Sequence, residues 1–573
     1  MADLILGRDW LRPVHHLPGR PFGSGPAERS TVVGRLAGHA QASPGAAFLS
    51  EVGRDSRPVT YSEAHRIVQQ RAAVLVEAGL RRGDRVGVLA QTSVDFALAV
   101  LAILEVGGVA VPLSPQDPPS RIARHIDFTE MRFLFYEPAC SGIAASCVTT
   151  QRAWSFRELA SSSRRQGNVA IAAPAPTDAA FIFFSSGTTG TPKAIVQSHY
   201  AVAQNAWALV GHHRIRPGTR LLCVLPMYHV NGLEFTVLAA MLGGGHTVLD
   251  PSFDVIRFWS AVRQHDIHIA SLVPNLLRVL ASRPGLRGKP SASLRYAVSA
   301  AAPLSVAVSQ QTWQRLGLNI VQGYGLSEVT NFSCQMPTEL PADEYARWML
   351  AGRRTSVGPA LPGQIVEIKD GAELAAPGVE GEIIIRGPCA MSGYLYDPVA
   401  TEQAFSGGWF HTGDLGYWLP DDMGRKYIHI SGRIREIAKR SGVLVSLLEL
   451  DDVLISLPDV VDAGSAAFAN TWVDEEIGAL VVRRPGSMLT GDGVIESCRR
   501  VLGFAAVPKC VEFVDEIPRT ASGKIRRLEI SKRFTEHRNR LFVENRSTRG
   551  RPAAPLRAGS AAKETLWNLL TYS

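Results

Sequence analysis

Phe181-Ile-Phe-Phe-Ser-Ser-Gly-Thr-Thr-Gly-Thr-Pro-Lys193 is the stretch on which the reading of this chain turns. Four apolar residues, Phe181 to Phe184, signal a short buried strand. Seven small or hydroxylated residues, Ser185 to Thr191, follow at once, then Pro192 and Lys193. Glycine lets the backbone approach a ligand closely, while hydroxyls and free backbone N–H groups donate to anionic oxygens. Lys193 adds a mobile point charge. A flexible linker has a similar composition, but linkers are seldom fused to an apolar strand and closed by Pro-Lys. The stretch therefore reads as a phosphate cradle. It is not a Walker A loop, because Gly187, Gly190 and Lys193 do not fit the spacing G-x-x-x-x-G-K-[ST].

The totals narrow the classes. A chain of 573 residues exceeds one hydrophobic core, so two or more domains are expected. Hydrophobic residues at 46% and charged residues at 20% suit a globular protein in water. The net charge of +8 is mild for this length and partly gathered in an Arg-rich tail, so no nucleic-acid partner is implied. Seven scattered cysteines without a CxxC pair read as reduced thiols, not as a disulfide frame or a zinc site. With no signal-peptide core and no run of about 18 apolar residues, a soluble cytoplasmic protein without membrane insertion is expected.

Outward from the loop, strands alternate with helices. Thr60-Tyr-Ser-Glu63 is a capping box, and Ile67, Val68, Ala72, Leu75 and Val76 place an apolar stripe on the helix it opens, which Gly79 suits as a stop. Val86 to Ala90 and Gly108 to Leu113 read as strands flanking a helix from Val94 to Val106. Further strands are expected at Leu221 to Leu225, Thr247 to Leu249, Ile267 to Val273, Tyr296 to Val298 and Asn319 to Gln322. This rhythm argues for an α/β fold of doubly wound, largely parallel sheets. The expected divisions are an irregular N-terminal arm (1–30), a large domain (31–432) with a β-rich part from about 358, a small α+β domain (433–545) and a basic, disordered tail (546–573). Residues 338 to 354 read as an insertion with a helix near Glu344 to Leu350.

Three further stretches carry chemistry. Tyr324-Gly-Leu-Ser-Glu328 ends an expected strand, where ligands of open α/β sheets collect. Its ring can stack on a base, the Ser327 hydroxyl can reach a phosphate, and the Glu328 carboxylate suits Mg²⁺. Gly407-Gly-Trp-Phe-His-Thr-Gly-Asp414 ends in a Gly-Asp pair that alone reads as a turn with a solvent-facing carboxylate. Pro518-Arg-Thr-Ala-Ser-Gly-Lys524 presents a lysine in a turn. His265, His268 and the His212-His213 pair lack the company of a metal site, and the pair reads as surface.

Together these stretches resemble the motifs of the adenylate-forming superfamily of acyl-CoA synthetases, peptide-synthetase adenylation domains and beetle luciferases. The resemblance implies that Ser185, Ser186, Gly187, Thr188, Thr189, Gly190 and Lys193 hold phosphates. Ala300 and Ala301 would lie along the adenine edge, Tyr324 and Ser327 would contact the nucleotide, and Glu328 would hold the metal. Asp414 would bind the ribose, with Arg433 as a second ribose or phosphate contact and Arg435 at the hinge between domains. Lys524 would bridge the carboxylate and the α-phosphate, His229 would line the acyl pocket, and Gly442 would let a pantetheine arm pass. Asn231 and Glu234 lie near that pocket, although Glu234 alone reads as helix surface; Trp207 and Phe332 are candidate walls. Two departures stand out: Ala194 where glycine is common, and Leu447 where proline is usual.

The implied reaction uses ATP and Mg²⁺ to convert a carboxylic acid, aryl or aliphatic, into acyl-AMP, then transfers the acyl group to the thiol of CoA or of a carrier protein's phosphopantetheine. Rival readings are an amine acceptor, activation of an oxyanion such as nitrite, and a binding protein without turnover. A dehydrogenase would need G-x-G-x-x-G after a strand, which does not occur.

Overall fold

The stretch Phe181–Phe184 completes a strand, Ala179–Phe184, buried along nearly its whole length. The computed structural model describes residues 11–19, 22, 31–53, 57–147, 152–162, 173–185, 193–282, 291–440, 443–502, 504–520 and 523–542. Ala179–Phe184 belongs to a seven-stranded sheet with the order Gly393–Tyr394, Ala194–Ser198, Ala179–Phe184, Val109–Leu113, Arg85–Leu89, Phe133–Tyr136, Arg152–Ser155. From Ala179–Phe184 onward the pairing is parallel. On its other side the chain turns back, and Ala194–Ser198 pairs antiparallel, Phe184 opposite Ala194. The strands on either side of the Ser185–Lys193 stretch are therefore neighbours in an antiparallel pair.

A second sheet has eight strands, ordered Cys334–Gln335, Asn319–Tyr324, Tyr296–Ser299, Ile269–Leu272, Arg220–Cys223, His246–Leu249, Ala47–Glu51, Val59–Thr60. Its six inner strands are parallel, and the two end strands are antiparallel. The helix Val94–Glu105 is buried at nine consecutive positions, as its unbroken apolar run demands. One hydrophobic core unites it with residues of both sheets, among them Val88, Phe133, Leu222 and Val298. The capping box of Tyr61–Glu77 forms in full: the Glu63 N–H donates to Thr60 Oγ1 at 3.2 Å, and the Thr60 N–H donates to Glu63 Oε2 at 3.0 Å.

A five-stranded antiparallel sheet follows, ordered Glu373–Leu374, Ile365–Asp370, Gly381–Arg386, Phe410–Pro420, Lys426–Arg433. The described part of the N-terminal arm docks on it. Val14 is fully buried in this sheet's core with Ile383, Ile385 and Phe410. His15 Nε2 donates to the Met391 carbonyl at 2.9 Å, while its Nδ1 accepts from the Arg12 N–H at 3.0 Å. The Gly387 N–H donates to the Val14 carbonyl, and Arg12 pairs with Glu402. Composition suggested an irregular arm; one apolar side chain and one histidine suffice to anchor it.

The last sheet holds Val443–Ser446, Ile437–Arg440, Asp474–Arg483 and Val460–Asn470, with Cys510–Phe513 parallel to Asp474–Arg483. Helices Leu447–Ser456 and Gly491–Val501 share its core. Leu447, in place of proline, occupies the first helical position under a Ser446 cap, and its side chain is buried. All seven cysteines are buried free thiols. Among the described residues, no helix is long and apolar enough to cross a membrane.

Deleting residues 1–19 should lower the thermal midpoint, and Val14→Asp in the full chain should reproduce the drop, because burying an unpaired charge in that core is strongly unfavourable. Calorimetry on both variants checks this; an unchanged midpoint for Val14→Asp would show that the arm is not anchored there.

Candidate active site

The geometry is built on Asp414. Asp414 and Arg433 are opposite each other on adjacent strands. That register lets Arg433 Nε donate to Asp414 Oδ1 at 2.9 Å. Tyr324, at the end of a strand in the eight-stranded sheet, donates its hydroxyl to Asp414 Oδ2 at 2.7 Å. The Asp414 N–H donates to Thr412 Oγ1, and Glu382 accepts from the Gly413 N–H and from His411, which fixes the turn. Burial, then the Asp414 carboxylate, raise the Tyr324 hydroxyl well above its ordinary range, so it stays a donor.

Glu328 lies in a short 3₁₀ turn, Ser327–Val329, directly after that strand. Its Oε1 accepts from the Tyr394 hydroxyl at 3.2 Å. Burial raises its carboxyl, opposed chiefly by backbone hydrogen bonding and by Lys524. The next residue but one, Thr330, has φ 71° and ψ −75°, and the Asn331 N–H donates to the Val329 carbonyl across it. This is a γ-turn with positive φ, a strained conformation for a β-branched residue. Thr330 Oγ1 donates to the Cys389 carbonyl, and the Gln197 side chain donates to the Ser327 and Thr330 carbonyls. Gly325 is dictated by the same turn: a Cβ there would sit 1.6 Å from the Asn331 carbonyl oxygen. Ala301, on the expected adenine edge, also has positive φ, while Ala300 is buried.

The phosphate loop closes at its base. The Ser185 N–H donates to the Lys193 carbonyl at 2.9 Å, and the Lys193 N–H donates to Ser185 Oγ at 3.0 Å. Lys193 Nζ lies 4.4 Å from the centroid of the Tyr394 ring, the residue that also holds Glu328. Ser186, Gly187, Thr188, Thr189, Gly190 and Gly442 lie outside the described residues.

Lys524 comes from the small domain into a cleft that Ala301, Tyr324, Asp414, Arg433 and Glu436 also line. Burial and then Arg433 lower its ammonium, while Asp414, Glu328 and Glu436 act to raise it. His229 is near enough to feel the Lys524 charge; burial first, then Lys524, hold its imidazole down to about 4. Charged side chains from the five-stranded sheet and from the small domain thus line one cleft with Tyr324 of the eight-stranded sheet.

A family model described as "AMP-binding enzyme" matches residues 36–395, and one described as "AMP-binding enzyme C-terminal domain" matches residues 449–524. The chain belongs to the AMP-binding enzyme family. Within the adenylate-forming superfamily it falls in the acyl-CoA synthetase branch, as an AMP-forming ligase. It is 30% identical over 508 residues to 4-coumarate–CoA ligase 2 of Oryza sativa subsp. japonica, covering 83% of this chain and 87% of that one. ATP-bound MatB from Rhodopseudomonas palustris is 26% identical and superposes with a TM-score of 0.79 over 88% of this chain and 99% of its own. The apo form of that protein, over the same shares, gives 0.69. The amide bond synthetase McbA from Marinactinospora thermotolerans is 28% identical, with a TM-score of 0.77 over 88% of this chain and 100% of its own.

For this AMP-binding enzyme, several sequence expectations need correction. Glu234 is not on a helix surface: it is buried in a π-helix, Asn231–Ala239, with Gln197 beside it. Phe332 is no pocket wall but packs edge-on against Phe235 in the main core, and Trp207 lies against the Arg35 guanidinium. His213 is buried, bonded to the Tyr296 hydroxyl and to Gln335 Oε1, because the helix His199–His213 turns that face inward. Tyr394, Gln197, Glu436 and Arg519 escaped sequence reading. Arg519 lies inside the Pro518–Lys524 motif and Glu436 directly follows Arg435, whereas Tyr394 and Gln197 are joined to the Ser327–Thr330 turn across 66 and 130 residues.

The His229 shift fixes a pH dependence. Its folded value of about 4 lies below the unfolded 6.5, so the unfolded chain binds more protons between the two. Its contribution to stability is complete above 6.5 and is lost as pH falls towards 4. Glu234, raised by burial, has the opposite sign. The difference in thermal midpoint between wild type and His229→Gln should therefore shrink between pH 7 and pH 4.5; a constant difference would contradict it.

Proposed function

We propose that this chain joins a carboxylic acid to the thiol of CoA in two steps. The substrate carboxylate attacks the α-phosphate of ATP, giving acyl-AMP and pyrophosphate. The carboxylate is a poor electrophile because oxide is a bad leaving group, and AMP remedies that. The observation that carries this reading is Lys524: a half-buried cation on a small, separate domain, within reach of the charges of Glu328, Asp414 and Arg433. There it neutralises charge developing in an in-line displacement. Asp414 keeps lone pairs for ribose hydroxyls even with Tyr324 and Arg433 bound. The CoA ligases among its relatives support CoA as acceptor.

Glu328 suits Mg²⁺, since this ion is commonly held by one carboxylate together with substrate phosphates and water. The ion would supply positive charge to the phosphate oxygens, and it would also offset the cost of the buried carboxylate. Among the described residues, His229 Nε2 and Asn231 Nδ2, close in sequence, are buried polar atoms with no hydrogen-bond partner. Each is costly unless a ligand meets it. They favour an acid bearing a second hydrogen-bonding group over a bare alkyl chain. An amine acceptor is the second reading, favoured by the likeness to the amide bond synthetase.

Pyrophosphate release with benzoate, 4-coumarate, hexanoate, oxalate and malonate, with and without CoA, tests the reaction. ATP- and acid-dependent release with at least one acid is expected, CoA ending as its thioester; release with none would overturn the reading. Lys524→Ala should slow acyl-AMP formation by about 10²–10³, by analogy with losing a preorganised oxyanion donor. Thioester formation from presynthesised acyl-AMP should be spared.

Gly442 decides the acceptor. If a pantetheine arm passes it, Gly442→Trp leaves pyrophosphate release intact and abolishes thioester formation, with Gly442→Ala intermediate. A turn glycine would suffer from Ala nearly as much as from Trp. Thioester formation surviving in Gly442→Trp would remove the tunnel and favour the amine.

A further inference from the structure

Lys524 reaches the cleft on a segment that belongs to no helix or strand of a named sheet. The Thr520 N–H donates to the Lys524 carbonyl at 2.8 Å, and a single bridge joins Arg519 to Ile525. Arg519 stiffens the loop by donating from Nη1 to the Gly523 carbonyl at 2.8 Å, one residue before the lysine. The other side of the same guanidinium donates from Nη2 to Asp462 Oδ1 at 2.8 Å. Asp462 is displayed by a register shift in the Val460–Asn470 strand, and such irregularities re-aim side chains.

Asp462 faces a second arginine, this one from the large domain. Arg278, on the helix Pro274–Ser282, donates from Nη1 to Asp462 Oδ1 and to the Val461 carbonyl, both at 2.8 Å. Its Nη2 is directed by Asn275 Oδ1 at 2.6 Å. All three charged side chains are less than one fifth exposed. Charge-assisted hydrogen bonds to a largely buried carboxylate are far stronger than surface pairs. The flanking arginines also repel each other, so the carboxylate is what lets them meet.

We propose that Asp462 is a positioning residue for Lys524, and that its contact with Arg278 is a latch holding the small domain in the acyl-AMP-forming arrangement. The chain superposes better on ATP-bound than on apo MatB, which fits a latch closed in the nucleotide-binding arrangement. Asp462 and Arg519 travel with the small domain, whereas Arg278 stays behind. Of the bonds to Asp462, rotation for thiol transfer breaks those from Arg278 and leaves the Arg519 brace intact. The proposal rests on the two-step reading above.

The test uses the full-length protein, the acid of the panel giving fastest pyrophosphate release, and that acid's synthetic adenylate. Asp462→Asn and Arg278→Ala should each lower the rate of acyl-AMP formation tenfold or more, with KM for ATP changed less than threefold. Thioester formation from the adenylate should hold or rise. Arg278→Lys should recover part of the loss, since an ammonium reaches the carboxylate but not its other partners. In a Lys524→Ala background, Asp462→Asn should cost nothing more. A split between half-reactions in Lys524→Ala without one in Asp462→Asn overturns the latch alone; no split in Lys524→Ala overturns the two-step reading and the latch with it. Circular dichroism of each variant identifies misfolding, and an Arg278→Ala protein that folds and shows equal loss in both half-reactions also overturns the latch.

Discussion

The Asp414 carboxylate is the point at which separately built parts become one site. Tyr324 arrives from the parallel eight-stranded sheet, and Arg433 from the strand paired with that of Asp414. Each partner alone would leave a buried acid half satisfied, at the price of a large desolvation penalty. With both in place each carboxylate oxygen has a donor, and the two sheets are held in one relative position. Arg433 is also the last residue of its strand, so the chain enters the small domain directly from this anchor. The position of Lys524 is thereby referred, through the backbone, to the carboxylate it faces.

Strain gathers at the same place. Thr330 and Ala301 adopt positive φ although neither is glycine, and both flank residues assigned to the nucleotide. Such conformations persist where surrounding structure over-determines them. Here the determinants are specific: Gln197 grips two carbonyls of the Ser327–Thr330 turn, Thr330 is tied to Cys389, and the Asn331 carbonyl presses on Gly325. The outcome is a carboxylate, Glu328, whose direction is fixed before any ligand arrives. Preorganisation of this kind removes reorganisation from the reacting step.

Much of this was legible in the sequence because it depends on local rules. Helix Tyr61–Glu77 begins at the capping box and gives way to a left-handed glycine, as local chemistry requires. Val94–Glu105 is buried because it is apolar all round. Motif residues far apart in the chain, such as Tyr324, Asp414 and Lys524, line one cleft. What stayed hidden depends on neighbours that no local pattern encodes. His213 reads as polar until its face is seen to meet Tyr296 and Gln335. Glu234 reads as surface until a π-helix turns it inward. Val14 and His15 read as part of a loose arm until the third sheet supplies their partners.

The antiparallel pairing of the strands on either side of the phosphate loop has an electrical consequence. The chain beyond Lys193 enters a strand, so no helix N-terminus directly following the loop contributes its partial charge, as one does beneath a Walker-type loop. Attraction for a polyanion must then come largely from discrete cations, of which Lys193 follows the loop and Arg433 ends a strand of the five-stranded sheet, one residue past the expected domain boundary, while Lys524 arrives with the small domain. On the proposed two-step reading, a rotation that withdraws Lys524 would also subtract positive charge from the cleft when the detached pyrophosphate has to leave. The same movement that exposes the acyl group to its acceptor therefore loosens the grip on the first product, and reversal of the first step is discouraged by electrostatics alone.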